Sequence, residues 1–461
     1  MEREFKNVWD TYGESELERC DEFARGYMDF LSLGKTEREF TVLAVEKAKA
    51  HGFLDIRDVE TINPGDKIYA VNMDRNIFLF TIGDAPMAEG MNLLGAHIDS
   101  PRLDLKQNPL YEDKDLALLE THYYGGIKKY QWVAMPMAIH GVIVKESGEK
   151  INVVIGEDPN DPVVGISDLL IHLSREQLEL TLGKGVKGED LNVLAGSRPT
   201  GGKEEKNRIK KHILKILNDK YGIIEEDFVS AELQIVPQGR AREYGIDRSM
   251  IMGYGHDDRV CAYSSLMALL ESGVNGRTCG CILCDKEEVG SMGATGMQSR
   301  FFENLVAEIM EKKGEGSGKA LRDALTNSKM LSSDVSAAFD PNYPAVNEPN
   351  NTAYFNRGIV FNKYTGSGGK SGCNDASPEF LAQIRRVMNQ NHIVWQTSEL
   401  GKVDQGGGGT IAYIMGNLGM DVIDAGVAVQ NMHAPWEVIS KADLFEAYRA
   451  YQVFLKEIGR S

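Results

Sequence analysis

The chain is short of cysteine, of positive charge and of long apolar runs, and each shortage narrows what it can be. Six cysteines in 461 residues are too few for a disulfide framework, which agrees with a reducing compartment. No apolar run reaches the roughly 18 residues that a membrane-spanning helix needs. The opening, MEREFKNVWDTYGESE, lacks the apolar centre of a secretory signal, so a cytoplasmic location is the expectation. Lysine and arginine number 51 against 68 aspartates and glutamates, a formal net charge of -17. That balance argues against nucleic acid and against anionic membranes as partners.

What is present is a globular composition, 42% hydrophobic and 26% charged. The chain is too long for one ordinary core, so two domains are expected, or one domain interrupted by another. Its most informative stretch is CILCDKEEVGSMG, residues 281 to 293. There an apolar, strand-like run stops at two adjacent carboxylates, Glu287 and Glu288, with Gly290, Gly293 and Gly296 opening the turn beyond. Neighbouring carboxylates repel, and holding two at a buried strand end needs a compensating cation or a shared proton. A metal ion supplies that charge: one glutamate binds it while the other takes a proton from water. Beside Lys286 the same pair also fits a solvated turn.

The rest of the chain repeats the pattern of an acid or histidine at a strand end. Residues 16 to 34 and 36 to 52 carry apolar side chains at helical spacing and end in glycine. Three strand-like runs follow, 68 to 72, 77 to 83 and 92 to 100. The third ends in His97 and Asp99, which share a strand face, so Asp99 is placed to orient the imidazole. From about Asp104 to Met250 the character changes: VAMPMAIHGVIVK, INVVIGE and AELQIV read as strands, and HILKILNDKYG as a helix. This segment is read as an inserted domain. The mixed-charge run KEEKNRIKKH, 203 to 212, reads as a solvated loop entering that helix, and His172 in IHL has no special claim from sequence.

Beyond the insertion, IMGYGHDDR closes a strand and leads into the helix VCAYSSLMALLESG. Asp257 and Asp258 fall at the helix start, where the backbone dipole favours carboxylates; the functional alternative is that one of them bridges two cations. Cys279 and Cys281 point to one face of their strand and Cys284 to the other, which favours buried structural thiols over a metal cluster. MLSSDVSAAFDPNYP, 330 to 344, is a strand ending at Asp334. TGSGGKSG, 365 to 372, departs from a phosphate loop because position 364 is Tyr364. Lys363 and Lys370 are available to an anionic substrate group, or merely exposed. QGGGGT, 405 to 410, is a flexible helix entry. VIDAGVAV, 422 to 429, is a strand, and NMHAPWEVIS sets His433 before the last helix. Two cations sharing one carboxylate, each with two more ligands, take five side chains, commonly His, Asp and Glu for zinc. His97, Asp257, Glu288, Asp334 and His433 supply such a set, and Glu287 is left as a base.

In this order, GAHIDSPR, GHDDR, DKEEVGS, SSDVSAAFDPNY and NMHAPWE resemble the aspartyl aminopeptidases, zinc exopeptidases with two metals, nearly end to end. The resemblance implies an α/β, zinc-exopeptidase-like catalytic domain at 1–103 and 251–461, with a central mixed sheet flanked by helices. A mainly-β dimerisation domain at 104–250 interrupts it. It implies that His97 and Asp334 hold one metal, Glu288 and His433 the other, and Asp257 both, with Asp99 behind His97 and Glu287 as general base. It also implies short peptide substrates with acidic first residues and a tetrahedral homododecamer, in which His172 enters a neighbour's active site and steadies the reacting carbonyl oxygen. Zinc is the expected ion, with cobalt or manganese as alternatives. Two points depart from the family: Ala337 stands where a histidine is expected near the substrate, and Lys363 is only loosely aligned with the lysine that reads the acidic side chain. A broad or neutral aminopeptidase with the same metal site is the alternative reading. A non-enzymatic shell on this fold would show damaged ligands, and all five are intact.

Overall fold

The computed structural model describes residues 5–459. Its contacts divide the chain into two units. The first takes the residues up to Asp99, Ala241–Met432 and those from Glu437 on, and the second takes Ser100–Arg240 with His433–Trp436.

The first unit is built on a nine-stranded mixed sheet. From one edge to the other the strands are Leu54–Asp55, Lys67–Asn72, Asn76–Thr81, Cys279–Cys284, Asn92–His97, Lys329–Ser332, Asp421–Gly426, Ile359–Asn362 and Trp395–Thr397. Four central neighbours, Cys279–Cys284 through Asp421–Gly426, run parallel. Parallel strands are covered on both faces, which is why these segments read as unbroken apolar runs. Alternate residues serve opposite faces. Leu94, Cys281, Leu283 and Leu331 pack under the helices Glu14–Leu33, Glu37–Ala50, His256–Glu271 and Lys441–Glu457. Leu93, Ile282, Cys284 and Met330 pack under Phe301–Lys312 and Gly318–Asn327. The cysteines divide between the faces as their spacing predicts, and all six are free thiols.

Local signals account for the helix boundaries. Thr36 caps its helix by accepting from the Glu39 N–H at 3.2 Å while the Glu39 carboxylate accepts from the Thr36 N–H at 3.0 Å, a reciprocal cap. His256–Glu271 is buried at every position except Met267 and Glu271, so the helix sits inside the unit and carries its polar first turn, His256 to Arg259, in with it. Two expectations are corrected. The strand before Asp334 ends at Ser332. Residues 422 to 429 form two strands rather than one, because the chain leaves the large sheet after Gly426 and enters a five-stranded sheet at Ala428. That smaller sheet also contains Arg242–Tyr244, Met250–Gly253, Glu437–Ser440 and Ser336–Ala337.

The second unit is a six-stranded sheet in the order Lys150–Ile155, Met137–Val144, Ala231–Pro237, Arg102–Asp113, Leu116–Tyr124, Val193–Gly196. All its pairings are antiparallel. The helix Arg208–Tyr221 begins inside the mixed-charge run. The unit's limits differ from residues 104 and 250 for a plain reason: Arg102 already belongs to this sheet, whereas Arg242–Tyr244 pairs with Met250–Gly253 in the first unit. Among the described residues no helix is long and apolar enough to cross a membrane.

Candidate active site

Because the four central strands run the same way, their C-terminal ends share one edge of the sheet, the place where open α/β sheets gather their functional groups. His97 ends one strand, Asp285 to Glu288 follow the next, and Asp334 stands two residues beyond a third. Asp257 comes from the start of the buried helix, in backbone that is not yet helical and with a cis peptide to Asp258. The Glu437 carboxylate accepts from the Asp257 N–H at 3.0 Å. Gly426 lets the fourth strand close on this group, since a Cβ there would stand 1.8 Å from the Asp334 carbonyl oxygen.

The imidazole of His97 is buried. Its Nδ1 lies 3.0 Å from the Asp99 carbonyl and 3.3 Å from the Asp99 carboxylate, and its Nε2 lies 3.2 Å from Asp257. Donation from Nδ1 to Asp99 leaves the Nε2 lone pair for a metal, the usual arrangement of a buttressed metal-binding histidine. Asp99 has a second job that sequence spacing did not reveal. Its two carboxylate oxygens accept from the backbone N–H groups of Glu287 at 3.1 Å and Glu288 at 3.3 Å. One side chain therefore sets both the imidazole and the turn that carries the glutamate pair. Lys286 enters that turn with φ 68° and Gly290 leaves it with φ 94°. The Glu287 carboxylate reaches to 4.0 Å from His97 Nε2.

Charge is concentrated here. Burial disfavours the charged form of His97, but the Asp257 and Asp99 carboxylates outweigh it and hold the imidazole well above its usual range. Burial, then the charges of Asp258 and Glu287, push the Asp334 carboxyl well up. Burial likewise raises Asp258. Clustered acids with raised pKa values are a site short of positive charge. Ligand atoms of His97, Asp257 and Asp334 all lie within 4.8 Å of one another, and those of Asp257 and Glu288 are equally close. This mixed nitrogen and oxygen donor set fits a divalent transition ion such as zinc.

The other candidates stand apart in kind. His433 lies in the connection between Ala428–Gln430 and Glu437–Ser440 with φ 65°, its Nδ1 2.7 Å from the Gly126 carbonyl. His172 sits in the exposed turn Ile171–Leu173 of the second unit. Lys363 follows the strand Ile359–Asn362, and its ammonium is paired with Asp375. Lys370 lies 3.3 Å from the same carboxylate and over the Tyr364 ring. Ala337 lies in the strand Ser336–Ala337. The residue sequence reasoning passed over is Glu437. It was visible only as the last letter of NMHAPWE, because a carboxylate that grips a backbone N–H leaves no spacing signal.

The chain matches the family described as Aminopeptidase I zinc metalloprotease (M18) across residues 30–455. It belongs to that M18 family of zinc aminopeptidases. A probable M18 family aminopeptidase 1 from Clostridium acetobutylicum is 60% identical over 457 residues, 98% of each chain. One from Thermotoga maritima is 45% identical over 460 residues, covering 99% of this chain and 100% of the relative. The crystal structure of the Thermotoga maritima M18 aminopeptidase superposes with a TM-score of 0.96 at 44% identity, covering 99% and 100% of the two chains. A structure of the Saccharomyces cerevisiae mApe1 dodecamer shares the fold at TM-score 0.75 and 20% identity, covering 94% and 96% of the two chains. The enzyme is a zinc metallo-aminopeptidase, a peptide hydrolase.

Proposed function

We propose that this M18 aminopeptidase uses two divalent ions per subunit to remove the first residue of short peptides, with acidic residues preferred. His97 and Asp334 would hold one ion, Glu288 and His433 the other, and Asp257 both. The observation that carries this reading is the convergence of His97, Asp257 and Asp334 within 4.8 Å, steadied by the Asp99 carboxylate that also anchors the Glu287–Glu288 turn. Glu437 grips the Asp257 N–H and so fixes the backbone that carries this carboxylate. When bound, the ions supply Lewis-acid polarisation of the scissile carbonyl and acidify the attacking water.

The protein's own groups do the rest. Glu287 is the general base: it takes the proton of the attacking water and returns it to the departing amine. Asp99 keeps His97 in the tautomer that presents Nε2 and keeps Glu287 aimed inward. His172 of a second copy would donate to the carbonyl oxygen as negative charge builds there, as a preorganised donor does. Its surroundings support self-association, because Ile171, Leu173, Leu178 and Leu182 are each more than 60% exposed. An apolar patch of that kind marks a protein interface, and the reading here is a homododecamer, a cytoplasmic assembly built from dimers through the inserted domain.

Lys363 is the residue proposed to read an acidic first side chain. Its pairing with Asp375, together with Ala337, favours a second reading in which the same site accepts broad or neutral residues. Rates on Asp-Ala, Glu-Ala, Leu-Ala and Lys-Ala with added zinc, cobalt or manganese separate the two. Cleavage confined to Asp and Glu supports the acidic pocket, and a preference for Leu over Asp replaces it with the broader specificity. No cleavage of any dipeptide by metal-loaded protein would remove the aminopeptidase reading itself.

A further inference from the structure

One groove of the first unit contains none of the acid-rich edge's residues and has the opposite charge. Its volume is about 930 Å³, within the range of small-molecule sites. It runs along the outermost strand of the large sheet, Trp395–Thr397, and the helix Pro378–Gln390. Cationic and donor groups dominate its lining: Lys6, Arg357, Arg385, His392 and Arg449, with Glu16 as the one acid. Sequence order explains part of this. Arg385 and Asn389 are one helical turn apart, and His392 follows the helix end, so all three face one side.

These groups are not occupied with one another. Arg449 pairs with the buried Glu446. The Arg357 guanidinium carbon lies 4.9 Å from the centre of the Phe5 ring and 4.2 Å from that of Tyr354, with no carboxylate partner among the described residues. Arg385, His392 and Lys6 likewise carry no side-chain hydrogen bond or ion pair there. In a chain with a formal net charge of -17, unpaired cations gathered in a concavity run against the overall composition. Among the described residues, Arg357, Arg385 and Lys6 have no carboxylate partner to offset their mutual repulsion. Planar guanidinium groups match phosphate oxygens with paired N–H donors, and Phe5 and Trp395 add aromatic surface to the same walls.

We propose that this groove binds an oligophosphate anion, free or as the phosphate chain of a nucleotide. The test is isothermal titration of the full-length, zinc-loaded protein with sodium tripolyphosphate and, separately, with ATP, at low ionic strength. Saturable binding of one anion per chain is expected, with a Kd below about 100 µM. It should weaken at least tenfold in the double variant Arg357→Ala/Arg385→Glu and in Arg385→Glu alone. Both variants change exposed or half-exposed side chains, and dipeptide turnover should stay within about twofold of the parent, which reports an intact fold. Equal affinity for the two probes assigns the site to the phosphate chain alone, and tighter ATP binding assigns it to a nucleotide. Absence of saturable binding overturns the proposal. So does binding that survives both variants, which would place the anion at the zinc centre instead.

Discussion

Replacing Asp99 by asparagine tests the central claim about the site, because one carboxylate is said to serve three donors. Asparagine keeps the size but offers a single oxygen, and its amide NH₂ must face a donor that now has nothing to bond. The oxygens of Asp99 accept from Glu287 N at 3.1 Å and Glu288 N at 3.3 Å and lie 3.3 Å from His97 Nδ1. Losing one charge-assisted bond costs about 1.5–3 kcal/mol, and the facing N–H groups add to it. Outer partners of metal-binding histidines typically contribute 10- to 100-fold in metal affinity. The expected result for Asp99→Asn is therefore zinc binding weaker by about one to two orders of magnitude, measured by competition with a chromogenic chelator. At saturating zinc, kcat should still fall by about a hundredfold, because the Glu287 turn has lost its anchor and small displacements at a reacting centre are costly. Zinc affinity within threefold of the parent, with unchanged kcat, would refute the assignment of Asp99 to both tasks.

Three further outcomes are expected. Glu287→Gln should lower kcat by about 10²–10⁴ while zinc content by atomic emission is unchanged; retained turnover would remove Glu287 as the base. Asp424, buried with its carboxyl raised to about 7 by desolvation and accepting from Thr410 at 2.6 Å, binds its proton more tightly folded than unfolded. Its contribution to stability is complete below about pH 4 and is lost as pH rises toward 7, a span of about 4 kcal/mol at ~1.4 kcal/mol per unit. Asp424→Asn cannot ionise, so urea unfolding should show a flatter pH dependence and greater stability near pH 8; an unchanged slope would contradict the buried, protonated carboxyl. Ile171→Asp, at a position 68% exposed in the single chain, should leave the subunit folded and shift sedimentation from the proposed dodecamer to smaller species. An intact dodecamer would exclude the 171–173 turn from the interface.

Much of the site was legible because metal chemistry restricts residue type and parallel strands restrict position. An acid or histidine after an apolar run is visible in one dimension, and His97, Asp257, Glu288 and Asp334 were each picked as candidates that way; the structure brings His97, Asp257 and Asp334 together. Resemblance then sorted Asp257 from Asp258, which composition and spacing left open. The structure shows why the two differ: Asp257 faces His97 across 3.2 Å, whereas burial raises Asp258 inside the fold. Strand ends were less legible. The break at Val427 was missed because the apolar pattern runs straight through it, and only pairing partners tell that one half belongs to a nine-stranded sheet and the other to a five-stranded one.

By itself the sequence determined the class of chemistry, the alternation of buried strands and covering helices, and the division of three cysteines between two faces of one strand. Those properties depend on residue type and on spacing along the chain, both of which are written in one dimension. Only the tertiary structure decided that Asp99 also anchors the glutamate turn, that Glu437 holds Asp257, that Lys363 is already paired with Asp375, and that unpaired cations line a groove in an acidic protein. Each of these joins residues well separated in the chain, from 12 positions for Lys363 and Asp375 to 443 for Lys6 and Arg449. Contacts of that separation are set by how strands and helices pack, and packing has no local periodicity to read.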